Sequence, residues 1–448
     1  MKIEKLDSFE REPISGAALT LLCDFASGDT KRTICRLDAD WEEVFQALCR
    51  NGLIGLAYRH LNQWEDRDHP PSSFRESVYQ AYRVSAIRMA LMCRHIGRVL
   101  RMLNESGLEF MVVKGPALAH SVYPSPSLRS FNDLDLVVRE RDWETAHATL
   151  LNMGFGLLTG SPYPPPKLVA QAVLYKSTYA HSETGLALDL HYDDILNSGL
   201  ASRDAEGFWQ RAAPLEIEGS QIKTLSLEDQ LIHLCAHAHY HGYTRMNWFS
   251  DLAFLVRDHE EEMCWSRVIE IVSDEEVQVP VYYSLRFLQT LLDVAAPADV
   301  FAAIKPDRFR LWMHDLFLPE KEVLSMQPMW RPDFSFYFLP LFKRLIPDLL
   351  VMGRRWYKMR YLLRLLSPAG DWLRYYYGLD GTSSVAVHYL LHPLKLAYHY
   401  LTEIAAAARL GRIKLENHEW PGGRQSMVSE ATGYPRRRAS TGSRPNEG

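Results

Sequence analysis

Cysteine is scarce in this sequence. The 448 residues contain six cysteines, and no two of them form a CxxC pair. Disulfide-stapled secreted domains are dense in cysteine, and zinc knuckles need closely spaced pairs, so the sequence argues against both classes. A reducing cytoplasm is the compartment that we expect for such a chain.

Charge of one sign is also lacking. The formal net charge is -5 at pH 7 and the isoelectric point is near 6.4. A chain with so little excess charge has no overall attraction for nucleic acid or for an anionic membrane, so any polyanion must be bound locally. Composition therefore gives no strong nucleic-acid signal.

Long hydrophobic runs are missing as well. The first dozen residues are rich in charge and contain no apolar core, which predicts no secretory signal. The most apolar late segment, residues 335–353, is interrupted by Lys343, Arg344 and Pro347, too soon for one membrane-spanning helix. We therefore expect no transmembrane segment, while contact with a membrane surface stays open.

The remaining composition is that of a globular protein. The chain is 47% hydrophobic and 23% charged, and it is long enough for two or three packed units. Apolar residues recur at three- and four-residue spacing from Val78 to Leu103 and stop before Gly107, which predicts a long helix. Residues 1–104 are expected to form an N-terminal helical region.

The next segment, residues 105–222, changes to short apolar and β-branched runs separated by turns. "LEFMVVKG" and "DLDLVV" are typical of strands, and "RDWETAHATLLNMGF" is typical of a helix that ends at Gly154. "AVLYKSTYAH" and "LALDLHYDD" flank "SETG" and predict a hairpin. Strands mixed with helices in this way predict a small α/β core.

Helices return after this core. "SLEDQLIHLCAHAHYHG" opens with Ser226 and Asp229 in a capping arrangement. We expect a helical region completing a cleft at 223–310, a C-terminal helical region at 311–415 and a disordered tail at 416–448. The predicted fold class is α+β, with a small mixed-sheet core embedded between N-terminal and C-terminal helical regions.

Two aspartates, Asp133 and Asp135, lie in the predicted strand "DLDLVV". Side chains alternate along a strand, so both aspartates point to one face while the neighbouring leucines pack on the other. In "GLALDLHYDD", Asp189 shares a face with Ala187 and His191. If these two strands are neighbours, three carboxylates meet on one face of the sheet.

Such a cluster calls for cations. Like charges in close contact raise one another's pKa unless cations lie between them. A pair of divalent ions bridged by carboxylates serves in-line phosphoryl displacement, and magnesium suits hard oxygen ligands. The competing interpretation is that the aspartates are turn or cap residues, which is the commoner role for "DLD" taken alone.

Groups suited to phosphate binding precede the aspartates. Lys114 and Gly115 end the strand "EFMVVKG", where the lysine adds positive charge and the glycine permits close backbone approach to an anion. Arg129 lies four residues before Asp133 and could bind a phosphate through two hydrogen bonds or form a salt bridge with one of the acids. Both interpretations of Arg129 stay open.

The order of these motifs is similar to that of a known family. A strand ending in "KG", a helix, "RSFNDLDLVV" and a later "LDLH" strand resemble the uncharacterised nucleotidyltransferase family, a branch of the DNA polymerase beta-like nucleotidyltransferase superfamily. The segment "SLEDQLIHLCAHAHYHGYTRMNWFSDLAFLV" is similar to that family's helical part. The resemblance covers roughly residues 40–260 well and the remainder loosely.

The resemblance implies a nucleotidyltransferase-like core at 105–222 that transfers a nucleoside monophosphate from a triphosphate such as ATP. Two divalent ions, Mg²⁺ or in their place Mn²⁺, would assist, and the acceptor stays open among a small molecule, a sugar, a peptide and RNA. The implied catalytic and metal-binding residues are Asp133, Asp135 and Asp189. Gly115 would lie beside the triphosphate, and Lys114 and Arg129 join the nucleotide-binding set because of their charge.

The chain departs from the superfamily pattern at one point. The superfamily usually has Gly-Ser or Gly-Gly-Ser after the first strand, whereas this chain reads Lys114, Gly115, Pro116, Ala117 and offers no hydroxyl. The Lys-Gly form is usual in the uncharacterised family, where the charge of Lys114 can replace the lost contact. The departure keeps open a second hypothesis, a catalytically inactive nucleotide-binding or regulatory protein on the same scaffold.

A third hypothesis rests on the histidines of the following helix. They are His233, His237, His239 and His241. Together with Asp251 they could form a transition-metal site, but position 234 is leucine and the H-E-x-x-H signature is absent. Histidines on a partly apolar helix are more often packed than ligating, and His237 could instead line a nucleotide cleft.

Overall fold

A computed structural model describes most of the chain. The described residues are 14–29, 39–63, 70–157, 176–192, 195–196, 204–326, 363, 366–368, 370–377, 379 and 384–409. The apolar segment at 335–353 and the predicted tail at 416–448 lie outside the described residues.

The described residues that precede the sheet are mainly helical. Their helices are α1 (Gly16–Ala26), α2 (Trp41–Arg50), α3 (Ile54–Asn62) and α4 (Ser72–Glu105). The buried residues of α4 include Val78, Ile96 and Leu103, which confirms the apolar stripe. Gly107 follows the helix with a φ of 73°, a left-handed conformation that glycine adopts without a steric penalty.

Within the part of the chain that the structure describes, seven strands form one mixed sheet. They are β1 (Phe110–Val113), β2 (Asp133–Val138), β3 (Phe155–Leu157), β4 (Lys176–His181), β5 (Ala187–Tyr192), β6 (Ala213–Ile217) and β7 (Ser220–Thr224). Their order across the sheet is β3-β4-β5-β2-β1-β7-β6. β2 runs parallel to β5 and antiparallel to β1, while β4 and β5 form the predicted antiparallel hairpin.

Short helices connect the strands. α5 (Gly115–Ser121) follows β1, α6 (Trp143–Asn152) follows β2, and α7 (Ala205–Arg211) precedes β6. One sheet mixed with flanking helices confirms the α+β class.

The remaining described helices follow the sheet in sequence. They are α8 (Leu227–Tyr240), α9 (Met246–Asp258), α10 (Trp265–Asp274), α11 (Gln278–Leu292), α12 (Ala298–Ala303), α13 (Arg308–Phe317), α14 (Glu320–Leu324), α15 (Gly370–Tyr377) and α16 (Ala386–Arg409). The Ser226 side chain accepts a hydrogen bond from the Asp229 backbone N–H, so α8 begins with the predicted cap. None of the helices described combines the length and apolar character that crossing a membrane requires.

The two faces of the sheet meet different cores. Leu134 and Leu136 of β2 belong to a hydrophobic cluster with Ile96 of α4. Val137, on the opposite face of β2, belongs to a second cluster that includes Leu231 of α8. Because Asp135 shares its face with Val137, the carboxylate side of the sheet is the side on which α8 packs.

Candidate functional site

The two strands that carry the aspartates are neighbours. β2 and β5 pair in parallel, and Asp135 lies directly opposite Asp189 in their register. Residues in direct register point to the same face of a sheet. The two strands, whose adjacency the sequence analysis left open, are therefore neighbours, and they bring Asp135 and Asp189 together.

The tightest group of ligand atoms at this point consists of Asp135, Asp189 and His191. One ligand atom of each lies within 4.8 Å of the others. All three side chains are buried, with exposed fractions of 2%, 8% and 2% for the residues in that order. Two carboxylates and an imidazole are a donor set that can hold a divalent cation.

His191 is a member that the sequence interpretation did not assign to the site. The sequence does contain an indication, because the alternation of side chains puts His191 on the same face of the "LDLH" strand as Asp189. The structure sets its Nε2 3.1 Å from Oδ1 of Asp135. Histidine on a strand is common in ordinary cores, so the alternation alone did not mark it as a ligand.

Asp133 begins β2, opposite Ala187 in the register with β5. It is partly exposed and is not in the group formed by Asp135, Asp189 and His191. Its negative charge raises the pKa of Arg129, so it acts on the same region electrostatically. The role of Asp133 as a metal ligand stays a prediction.

Lys114 is the closest cation to Asp135. Its Nζ lies 2.6 Å from Oδ1 of Asp135, and both side chains are nearly buried. Lys114 also has a φ of 57° and a ψ of -130°, a backbone conformation that costs a non-glycine residue on the order of 1–3 kcal/mol. Lys114, which is predicted to bind phosphate, thus contacts Asp135, which is predicted to bind a metal ion. The backbone conformation of Lys114 must be stabilised by the residues around it.

Gly115 has a packing role that can be read from its surroundings. A Cβ added to Gly115 would lie 2.8 Å from Cβ of Phe131, closer than side chains tolerate. The glycine therefore allows α5 to pack directly against the segment that leads into β2. Its predicted place beside a triphosphate stays a prediction.

Asp189 is oriented from the adjacent strand. Thr178 lies opposite it in the register of β4 and β5, and the Thr178 hydroxyl donates a 2.7 Å hydrogen bond to Oδ1 of Asp189. A hydroxyl donor fixes one carboxylate oxygen and restricts the rotation of the side chain. Sequence interpretation missed Thr178, although the hairpin pairing of β4 with β5 could have identified it.

Arg129 forms its ion pair with an acid far along the chain. Its Nε and Nη2 donate to the two carboxylate oxygens of Asp251, at 3.1 and 2.7 Å. The Tyr123 hydroxyl donates to the same carboxylate at 2.7 Å. Arg129 therefore forms a salt bridge with Asp251 of α9, an acid that the sequence analysis did not consider for it. Its predicted contact with a phosphate stays a prediction.

The pKa values of Arg129 and of Tyr123 are both raised in this buried group. Burial disfavours the charged form of Arg129, but the charge of Asp251 and the hydrogen bonds to it outweigh this and raise the arginine pKa. Burial and the charge of Asp251 raise the pKa of Tyr123 well above its usual value. Arg129 is thus a permanent cation that connects the segment before β2 to α9.

The histidines of α8 are packed side chains. Nδ1 of His233 lies 2.5 Å from the Ile195 carbonyl oxygen, and burial together with the charge of Lys114 lowers the pKa of His233 to about 3. Burial, helped by His241, also lowers the pKa of His237. His237 packs edge-on against Trp248, with ring centroids 5.3 Å apart.

The transition-metal hypothesis for these histidines gains no support. Among the described residues, no group of close ligand atoms includes a histidine of α8, and Asp251 is bound to Arg129. Lys114 and Asp135 both influence the pKa of His233 and of His237, which indicates that α8 lies beside the carboxylate cluster. His237 as a lining residue of the cleft stays a prediction.

Comparison with known proteins gives one family and no individual relative. Neither a curated protein nor a solved structure matches the chain significantly. A family model described as uncharacterised nucleotidyltransferase matches residues 38–293, which include the sheet and the helices α8 to α11. With more than half of its length matched, the chain belongs to the uncharacterised nucleotidyltransferase family.

Proposed function

We propose that this protein transfers a nucleoside monophosphate from a nucleoside triphosphate to an acceptor with the help of divalent cations. The observation that carries the proposal is the direct register of Asp135 with Asp189, with His191 beside them. Two carboxylates held side by side repel each other, and a divalent cation bound between them would offset that repulsion. Membership of the family supplies the reaction class.

The donor set fits a divalent cation. Asp135, Asp189 and His191 would hold it, and Asp133, the first residue of β2, would be a further carboxylate ligand. Carboxylates suit Mg²⁺ and Mn²⁺, while an imidazole suits transition metals better than Mg²⁺. Participation of His191 therefore favours Mn²⁺ over Mg²⁺ in binding measurements.

Bound cations would supply the positive charge that activates an acceptor hydroxyl and stabilises the triphosphate and its leaving group. Side chains of the protein would orient the ligands and accept the proton. The Thr178 hydroxyl holds the Asp189 carboxylate in one orientation, and Asp189 would accept the acceptor's proton.

Lys114 takes the role that a hydroxyl has elsewhere in the superfamily. A cation that binds Asp135 competes with the Lys114 ammonium for the same carboxylate. The displaced ammonium is then free to form a charge-assisted hydrogen bond with a phosphate oxygen. This exchange gives Lys114 a role in a motif that lacks the usual serine hydroxyl after the glycine.

The test compares Asp135→Asn with Asp299→Asn, a matched change at an exposed aspartate of α12. Calorimetry with each nucleoside triphosphate and Mn²⁺ or Mg²⁺ measures binding, and pyrophosphate release in the presence of cell extract measures transfer. We expect the first variant to lose both and the second to keep both. Unchanged binding and release in Asp135→Asn would reject the site.

A second function has one specific observation in its favour. The nucleotide motif lacks a hydroxyl, and Lys114 is bound to a predicted catalytic acid. A nucleotide-binding or regulatory protein on this scaffold would bind triphosphate with a divalent cation and release no pyrophosphate with any acceptor fraction. The same two measurements therefore separate the two functions.

A further inference from the structure

A second group of ligand atoms lies apart from the carboxylate cluster. It consists of Cys93, His120 and Glu218, and one ligand atom of each lies within 4.8 Å of the others. Cys93 is on α4, His120 is near the end of α5, and Glu218 lies between β6 and β7. The three residues differ in chemistry and come from distant parts of the sequence, so no local sequence constraint accounts for their proximity.

Close packing and hydrogen bonds hold the turn between β6 and β7 against α4. Gly97 of α4 allows the turn at Glu218 to approach, because a Cβ added to Gly97 would lie 2.5 Å from Cβ of Glu218. Nη1 of Arg101 donates to the Glu218 carbonyl oxygen at 3.3 Å, and the Asn104 amide donates to the Gln221 carbonyl oxygen at 3.0 Å. The turn is therefore held against α4 by a close approach and two hydrogen bonds.

The sequence of that turn is unusual for its geometry. Glu218 and Gly219 form a two-residue connection between paired strands, with φ values of 50° and 75°. Turns with positive φ at both central residues prefer Asn-Gly, because a long side chain is disfavoured at the first position. A glutamate occupies this position despite that preference, and one of its carboxylate oxygens lies within 4.8 Å of ligand atoms of Cys93 and His120.

Each residue can act as a ligand. Nδ1 of His120 lies 2.9 Å from the Pro116 carbonyl oxygen, so this nitrogen carries the proton and Nε2 keeps its lone pair. Cys93 is buried, and burial raises the pKa of its thiol to about 11, so the sulfur is a neutral thiol when no metal is bound. Metal coordination deprotonates such a thiol outright.

We propose that Cys93, His120 and Glu218 form a binding site for one zinc ion, separate from the carboxylate cluster. Zinc accepts sulfur, nitrogen and oxygen ligands in a tetrahedral arrangement, and three protein ligands leave one position for water. The ion links α4, α5 and the turn between β6 and β7. Since α5 begins directly after Lys114, the zinc ion also fixes the helix that follows the nucleotide motif.

Cobalt provides the direct test, because Co²⁺ substitutes for Zn²⁺ and a thiolate ligand gives a charge-transfer band in the near ultraviolet. The full-length protein is titrated with Co²⁺, followed by back-titration with Zn²⁺. We expect a band that saturates at one Co²⁺ per chain and disappears when Zn²⁺ is added. The carboxylate cluster has no sulfur ligand, so Co²⁺ bound there does not contribute to the band.

Variants assign the band to these residues. Cys93→Ser should abolish it, His120→Gln and Glu218→Gln should weaken Co²⁺ binding by at least about 10-fold, and Cys49→Ser, at an exposed cysteine, should leave it unchanged. His120 is only partly buried and Glu218 is exposed, so these two variants test the site even where Cys93→Ser impairs folding. Absence of the band in the unmodified protein, or a full band in Cys93→Ser, would overturn the proposal.

Discussion

Replacing Lys114 by methionine removes the ammonium from Asp135 and keeps most of the side-chain volume. The ion pair is 2.6 Å long, and its side chains are only 10% and 3% exposed. Breaking a buried pair of this kind costs about 3–5 kcal/mol, because one charge is left behind without its partner. We therefore expect Lys114→Met to lower the free energy of unfolding by about 3 kcal/mol in metal-free buffer.

The same change should strengthen binding of a cation. Lys114 competes for Asp135, and a hydrogen bond to a charged group is worth about 1.5–3 kcal/mol. Removing the competitor should therefore increase Mn²⁺ affinity by roughly 10- to 100-fold. Titration of free Mn²⁺ by electron paramagnetic resonance measures that affinity, and urea unfolding with and without Mn²⁺ measures the stability.

Nucleotide affinity should change in the opposite direction. If the displaced ammonium binds a phosphate oxygen, then Lys114→Met binds the Mn²⁺ complex of a nucleoside triphosphate more weakly than the unmodified protein does. The matched control is Lys223→Met, which breaks a 2.7 Å pair with Glu109 between half-exposed side chains and should change stability by less than about 1 kcal/mol. Equal or weaker Mn²⁺ binding in Lys114→Met would refute the competition.

Three further predictions concern the surroundings of the site. Arg129→Met and Asp251→Asn should each lower the free energy of unfolding by about 3–5 kcal/mol, and in urea unfolding the double variant should lose much less than the sum of the two. Thr178→Val removes the donor to Asp189 and should weaken Mn²⁺ binding by about 10- to 100-fold with little change in melting temperature. Folding lowers the pKa of His233 to about 3, so between about pH 6.5 and pH 3 its imidazole is protonated in the unfolded chain and neutral in the folded protein. Stability should therefore fall as the pH drops from about 6.5 towards 3. His233→Gln should reduce the loss of stability between pH 7 and pH 5 by about 2 kcal/mol, as measured by urea unfolding at those two pH values.

Local sequence patterns predicted the strands and the faces of the aspartates well. Alternation in "DLDLVV" and "LALDLHYDD" is a direct consequence of strand geometry, so it could be read without knowledge of the fold. The pairing of β2 with β5 could only be assumed, because 48 or more residues separate the two strands and no local signal encodes a parallel contact. The family resemblance implied only that Asp189 joins Asp133 and Asp135, and the sheet order shows that their strands are neighbours.

Long-range ion pairs were beyond the reach of sequence patterns. Arg129 was interpreted through its nearness to Asp133, but its partner is Asp251, which is 122 positions away. Lys114 was interpreted through phosphate binding, and its contact with Asp135 depends on how β1 ends beside β2. Which cation neutralises which acid is decided by tertiary packing, and sequence spacing carries little information about it.

The ligand atoms of the site also predict how many divalent cations the protein binds before it binds nucleotide. Asp135, Asp189 and His191 form one tight group of ligand atoms, which suits one ion. A second ion would take much of its coordination from phosphate oxygens, so it is expected to bind together with the triphosphate.

We therefore expect one Mn²⁺ per chain at the carboxylate cluster without nucleotide and two with a non-hydrolysable nucleoside triphosphate. Electron paramagnetic resonance titration in a Cys93→Ser background counts these ions without a contribution from the proposed zinc site. Two tightly bound Mn²⁺ ions in the absence of nucleotide would contradict this argument, since the second ion would then be held without the phosphate oxygens that are expected to coordinate it.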